Sequence, residues 1–226
     1  MHRQIHKSRH IYVLIVTIII FSLGVLIGAQ FEQFRIEKIQ ENFSQETTRY
    51  QEIQSEIDYI NFILKSRDVT PVTCGILKDS FLTSIEKLDD SVFALENYES
   101  TATFRLEDYN SLKNQFFNLQ ARYYTLSENI NVACPNSFNT ILYFYADAEE
   151  CPECEDQGII LDHIKKKYTD DVMIFSFNTQ GSTNIIELLK LSNGVETSQT
   201  PIIIINQNTT LSFSDISAVE DELKIS

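Results

Sequence analysis

Two cysteines separated by two residues form the segment of this chain best suited to chemistry. Cys151 and Cys154 enclose Pro152 and Glu153, and they follow a strand-like apolar run at 140–146. Two thiols at this spacing can close a disulfide across the first turn of a helix, whose unpaired N–H groups and positive dipole end stabilise a thiolate. The pattern predicts a redox site in which Cys151 attacks a substrate disulfide and Cys154 resolves the mixed disulfide.

The elements predicted around this pair alternate between strands and helices. In chain order they are 140–146, 155–168, 172–177, 183–191, 202–205 and 209–213. Together with the CxxC and with Thr200-Pro201 ahead of the third strand, this order resembles the thioredoxin-like fold over residues 136–226. The resemblance implies an α/β domain with a central mixed sheet flanked by helices, and thiol–disulfide exchange at the cysteine pair.

The resemblance also implies a substrate-binding role for a proline. In thioredoxin-like proteins a cis-proline after a small or β-branched residue faces the CxxC and helps to bind an extended peptide. Thr200 and Pro201 would have this role here. Glu150, directly before the first cysteine, stands where thioredoxins usually carry tryptophan.

Acidic side chains crowd the cysteine pair. They are Asp147, Glu149, Glu150, Glu153, Glu155 and Asp156. Nearby negative charge disfavours a thiolate and opposes the effect of the helix N-terminus. Strong oxidants of this class depend on a stabilised thiolate. The acidic residues therefore predict that the protein is a reductant or an isomerase and not a strong oxidant. The carboxylates are equally consistent with a solubilising surface that complements the helix dipole.

The N-terminal segment predicts a membrane anchor. Residues 11–31 contain no charge, and as a helix they would reach about 30 Å at about 1.5 Å per residue, enough to cross a bilayer. Arg3, Lys7 and Arg9 precede the segment, so the positive-inside rule predicts a cytoplasmic tail at 1–10 and an extracytoplasmic remainder. The competing interpretation is a cleaved signal peptide, although the apolar run is long for one.

Residues 32–135 predict a helical stalk. Apolar residues recur at a spacing of three and four along three segments, and polar breaks separate the segments. Three such helices can bury their apolar stripes in an up-down-up bundle or coiled coil, and the first helix could also pair with a second copy of the chain. With one acidic interruption at Glu46, the stripes contain Ile36, Ile39, Phe43, Tyr50, Ile53, Ile57, Ile60 and Leu64; Phe81, Ile85, Leu88, Val92 and Leu95; and Tyr109, Leu112, Phe116, Leu119, Tyr123, Leu126 and Ile130.

The bundle topology predicts a second disulfide. Cys74 lies just before the second helix and Cys134 just after the third, so the two meet at one end of the bundle. Four cysteines permit this structural bond beside the CxxC bond. Two free buried thiols and a four-cysteine zinc site are the alternatives, and the second is disfavoured because only one pair is closely spaced.

Two functions remain open from the sequence. The first is a membrane-anchored, extracytoplasmic thiol–disulfide oxidoreductase whose partners are protein thiols and disulfides, and Pro152 and Thr200-Pro201 favour it. The second is a non-catalytic thioredoxin-like interaction module with two structural disulfides, which Glu150 and the acidic loop favour. Neither function requires a metal or a cofactor. A formal net charge of −14 argues against nucleic acid as a partner.

Overall fold

The structure is a computed structural model. It describes residues 14–18, 20–25, 51–65, 69–99, 106–181 and 183–223. The chain divides into two compact units, Met1–Glu52 and Ile53–Ser226. The second unit contains the sheet and all four cysteines.

The first unit corrects the predicted membrane anchor. Its described residues at 14–18 and 20–25 are helical. No helix in the described part of the chain is both long and apolar enough to cross a membrane. The transmembrane helix predicted at 11–31 is therefore wrong, as is the single-pass localisation that depended on it. A bilayer-spanning helix needs about 20 consecutive apolar residues in one helix, and the absence of charge at 11–31 does not by itself establish such a helix. The tail at 1–10 lies outside the described residues.

Three helices precede the sheet in the second unit. They are α1 (described at 51–65, with 53–65 in this unit), α2 (Pro71–Glu99) and α3 (Leu106–Ala133). Pro71 starts α2, in agreement with the preference of proline for the first helical position. Apolar stripes face inward on all three helices, and the buried members include Ile53, Ile57, Phe81, Tyr123 and Leu126. The part of the predicted first stripe before residue 51 lies outside the described residues.

Polar contacts join the three helices inside this packing. The Ser84 hydroxyl of α2 donates to the carboxylate of Glu56 in α1 at 2.7 Å. The Tyr123 hydroxyl of α3 donates to the backbone carbonyl of Ser84, also at 2.7 Å. Because buried polar groups need partners, these bonds fix the register of the three helices as well as their contact.

The remaining residues form a four-stranded mixed sheet with three further helices. In chain order they are β1 (Asn139–Tyr145), α4 (Glu153–Lys167), β2 (Val172–Asn178), α5 (Asn184–Asn193), a 3-10 turn (Thr197–Gln199), β3 (Ile202–Ile205), β4 (Thr209–Leu211) and α6 (Ile216–Leu223). The strand order is β2-β1-β3-β4. β1 runs parallel to β2, and the other two pairs are antiparallel.

Each face of the sheet is covered by helices. On one face Ile141, Tyr143 and Ile203 pack against side chains of α4 and α6. On the other face Phe117 of α3 lies 6.3 Å from Phe177, between ring centroids, and Tyr124 lies 5.7 Å from Phe175. A sheet that is apolar on both faces needs helices on both sides.

This packing corrects the predicted stalk. Helix α3 contacts β1, β2 and α5, so it covers one face of the sheet. The helices of 53–133 and the sheet thus belong to one compact unit with mixed α/β architecture, and the boundary predicted at 135/136 is a change from helix to strand inside that unit. Pairing of the first helix with a second copy stays a prediction.

Candidate redox site

The two cysteines of the CxxC form a disulfide at the start of α4. Their Cα atoms lie 5.4 Å apart. Pro152 occupies the N-cap position with helical dihedral angles, and Cys154 is the second residue of the helix. The backbone N–H of Cys154 donates to the carbonyl of Cys151 at 3.1 Å. Both sulfur atoms are therefore held where the helix dipole is positive.

A turn carries the chain from β1 to the first cysteine. The carbonyl of Asp147 accepts hydrogen bonds from the backbone N–H groups of Glu150, at 2.9 Å, and Cys151, at 3.0 Å. The last residue of β2, Asn178, and a residue just after it, Gln180, support this turn from the neighbouring strand. The side chain of Asn178 donates to the Asp147 carboxylate, and the Asp147 N–H donates to the side chain of Gln180, both at 2.7 Å. Parallel strands bring these carboxyl ends together.

A buried tyrosine of β1, Tyr143, is hydrogen-bonded to the first turn of α4. The Tyr143 hydroxyl donates to the backbone carbonyl of Cys154 at 2.6 Å, and the ring stacks on Tyr145 at 5.6 Å between centroids. Burial raises the pKa of the Tyr143 hydroxyl, and the neighbouring Tyr145 raises it further. The hydroxyl is thus a neutral donor over the whole physiological pH range.

Replacing Tyr143 by phenylalanine is expected to lower the free energy of unfolding by about 1 kcal/mol, the usual net value of one hydrogen bond. The ring and its packing are kept, and only the bond to Cys154 is lost. Urea denaturation of the oxidised protein measures the change. Tyr59→Phe is the matched control because Tyr59 is exposed, and its effect should stay within about 0.5 kcal/mol. Equal effects of the two substitutions would contradict the role given to the Tyr143 hydroxyl.

An open pocket of about 360 Å³ borders the disulfide. Its walls are largely apolar, although two carboxylates contribute to the lining. The lining residues are Tyr143, Tyr145, Ala146, Asp147, Ala148, Cys151, Cys154 and Glu155. The cysteines are only 3% and 6% exposed, so this pocket is the route by which a substrate would reach the sulfur atoms.

The predicted proline lies at the same end of the sheet. The peptide bond between Thr200 and Pro201 is cis. β3 begins at the next residue, Ile202, which pairs with Phe144 of β1, so Pro201 stands near the carboxyl end of β1 from which the CxxC segment leaves. Pro201 is buried, and the Thr200 hydroxyl donates to the carbonyl of Thr197. Neither residue lines the pocket, and their role in binding substrate stays a prediction.

The acidic residues around the cysteines are all exposed, including Glu150 and Glu153. In the part of the chain that the structure describes, the ion pairs involve other carboxylates, and none of them reaches this group. The effect of these charges on the thiolate stays a prediction.

The second disulfide, Cys74–Cys134, clamps the helical part of the unit. The Cα atoms of its cysteines lie 5.7 Å apart. Cys74 lies within the first turn of α2, slightly later in the helix than its predicted position before it, and Cys134 directly follows α3. With both bonds formed, all four cysteines are paired. The structure thus contains the two-disulfide arrangement and no free cysteine.

Three supporting residues were not anticipated from the sequence. Asn178 and Gln180 hold the turn before the CxxC, as described above. Gln157, one turn after Cys154, is fully buried, and its side-chain oxygen accepts from the N–H of Ser214 at 2.8 Å. This bond ties α4 to the segment before α6. Isolated amide side chains carry no spacing pattern, so nothing in the sequence distinguishes them from surface residues.

Fold and site together define a mixed α/β protein with a CxxC disulfide at the N-terminus of a helix. Comparison of the chain with protein-family models and with curated proteins finds no match. The resemblance to the thioredoxin-like family thus rests on the CxxC, the order of elements and Thr200-Pro201.

Proposed function

We propose that this protein is a thiol–disulfide oxidoreductase that acts on protein disulfides through Cys151 and Cys154. The observation that carries the proposal is the position of the CxxC disulfide, which lies at the start of α4 and borders an open pocket. Disulfide exchange takes place between sulfur atoms alone, so the reaction needs no cofactor.

The reaction begins with the reduced protein. The Cys151 thiolate attacks one sulfur of a substrate disulfide, forming a mixed disulfide and releasing the other substrate sulfur as a thiolate. Cys154 then loses its proton to solvent and attacks the sulfur of Cys151, which reforms the protein disulfide and releases the second substrate thiolate. Two electrons pass from the protein to the substrate, and a low-molecular-weight or protein dithiol returns the cysteines to the reduced state.

The surrounding residues position this chemistry. The first turn of α4 stabilises negative charge on sulfur. The turn at Asp147, braced by Asn178 and Gln180, fixes the backbone of Cys151. Tyr143 fixes the carbonyl of Cys154 and so orients the first turn. The residues that react are thus held by the sheet, whereas the pocket in front of them stays open.

A second function is supported by the burial of the site. Cys151 and Cys154 are 3% and 6% exposed, and a structural disulfide in a non-catalytic interaction module would show such burial as well. The reduction potential separates the two functions, because exchange catalysts have values of about −120 to −270 mV, whereas structural disulfides lie below about −300 mV.

We expect a potential in the first range, measured by equilibrating the protein with glutathione or dithiothreitol buffers and counting thiols by mass-tagging. Cys154→Ala is then expected to accumulate a mixed disulfide with a peptide disulfide substrate, since the resolving thiol is missing. Cys151→Ala is the matched control and should trap far less. A potential below about −300 mV, together with no trapping in either variant, would contradict the proposed function and favour the interaction module.

A further inference from the structure

We propose that the pocket beside the disulfide selects substrates in which the reacting cysteine is flanked by lysine or arginine. This inference rests on the proposed function and names the substrate class of the same site. Three features carry it: the apolar walls of the pocket, the two carboxylates that line it, and the sign of the charge around its mouth.

The walls suit an aliphatic chain. Ala146 and Ala148 contribute small side chains, and the rings of Tyr143 and Tyr145 contribute flat apolar surface. Because the two cysteines line the same pocket, a side chain that enters it belongs to a residue very near the reacting sulfur of the substrate. An apolar stem next to the substrate cysteine can therefore lie against these walls during exchange.

The carboxylates suit a cationic end group. Asp147 and Glu155 line the pocket, and both are exposed to solvent. Lysine and arginine carry a charged head on an apolar stem, and they bury the stem while the head stays in a polar environment. The aromatic rings add an attraction for the same cation. The Asp147 carboxylate already accepts a hydrogen bond from Asn178, but an apolar residue without charge would satisfy the walls and leave both carboxylates without a cation.

The charge around the mouth extends this preference. Glu149, Glu150, Glu153 and Asp156 are each next in sequence to a lining residue and exposed, and no ion pair formed within the described residues neutralises them. A field of one sign draws oppositely charged ligands toward a site and repels those of like charge. Substrates with acidic residues beside the cysteine are thus rejected by repulsion as well as by lack of a favourable contact.

The test uses three peptides that differ only in the residues on either side of one cysteine. These residues are lysine, norleucine or glutamate, and norleucine has the lysine stem without the charge. In each peptide the cysteine forms a mixed disulfide with 5-thio-2-nitrobenzoate. The pre-reduced full chain attacks the peptide sulfur through Cys151, thionitrobenzoate leaves and is read by absorbance, and Cys154 then releases the peptide thiol. One protein molecule supplies both electrons, so no other reductant is present.

We expect the lysine peptide to react faster than the norleucine peptide, and the glutamate peptide to react slowest. The lysine preference over norleucine should be about two- to fivefold, the range of a solvent-exposed ion pair. It should shrink as salt is raised from about 0.01 M to about 1 M, since the screening length falls from about 30 Å to about 3 Å. Rate ratios between peptides cancel any change in the reactivity of Cys151 itself.

Two matched variants test whether the preference for lysine over norleucine arises in the pocket. Glu155→Gln removes an acidic residue that lines the pocket, and Glu86→Gln makes the same chemical change at an exposed residue of α2, outside both the lining and the acidic group around the cysteines. We expect Glu155→Gln to lose most of the lysine preference and Glu86→Gln to keep most of it. Equal losses in both variants would overturn the role of the pocket. Equal rates for lysine and norleucine in the wild type would overturn the substrate class while the proposed function stands. Failure to react with any of the three peptides would instead overturn the proposed function.

Discussion

Replacing Cys74 and Cys134 together by alanine is expected to lower the free energy of unfolding by about 4 kcal/mol. The bond joins residues 60 apart in sequence, so its loss frees a long loop in the unfolded chain. In the chain-entropy model the stabilisation grows with the length of the closed loop. The loss is a large part of the total stability of a domain, which is typically about 5–15 kcal/mol.

Urea denaturation of the oxidised wild type and of the double variant measures this effect. The matched control is the double replacement of Cys151 and Cys154 by alanine, which also removes two sulfur atoms and one bond. That bond spans a sequence separation of 3, so its removal should cost much less. Similar losses for the two double variants would contradict the loop-length explanation and point to local packing of the cysteines instead.

Replacing Phe81 by alanine is expected to cost about 3–5 kcal/mol, the usual range for a buried aromatic residue. Phe81 of α2 is fully buried. Its ring meets the edge of Tyr123 in α3 at 5.9 Å and lies 4.7 Å from Phe138, just before β1. Truncation removes apolar contact on both sides and leaves a cavity, so the connection between the helices and the sheet is weakened.

The same measurement tests whether helices and sheet unfold together. Val72→Ala is the matched control, because Val72 lies on the same helix and is 74% exposed, and its effect should stay within about 0.5 kcal/mol. The far-UV circular dichroism signal and the proposed thiol exchange activity of Phe81→Ala should be lost at the same urea concentration, as in one cooperative transition. Activity that survives after the helical signal is lost would contradict the single compact unit.

The local elements of the α/β part were predictable from the sequence. The apolar run at 140–146 corresponds to β1 at Asn139–Tyr145, and 202–205 corresponds to β3. Continuous apolar runs bounded by polar residues are typical of strands that are buried on both faces. The helix after the CxxC was also expected, although it begins at Glu153, two residues earlier than predicted. The short helix α6 was not predicted.

The site itself was predictable only in part. The spacing of Cys151 and Cys154 placed a disulfide at a helix start, and the structure has it there. The partners of the site were not predictable. Tyr143 reaches it from β1, whereas Asn178 and Gln180 reach it from the end of β2 and the turn after it, which are distant in sequence from the cysteines. Which of these side chains meet depends on the parallel register of β1 and β2, in which Tyr145 stands opposite Asn178.

The sequence by itself determined the elements and the chemistry that they can carry, since hydrophobic period and residue type act over a few neighbouring residues. The tertiary structure decided where those elements pack. Helix α3 shows a stripe that suits a bundle, yet it also covers one face of the sheet, because the sheet has apolar side chains on both faces. The apolar run at 11–31 likewise predicted a membrane helix that the described residues do not form. An apolar surface requires burial, but its composition does not specify the surface against which it is buried.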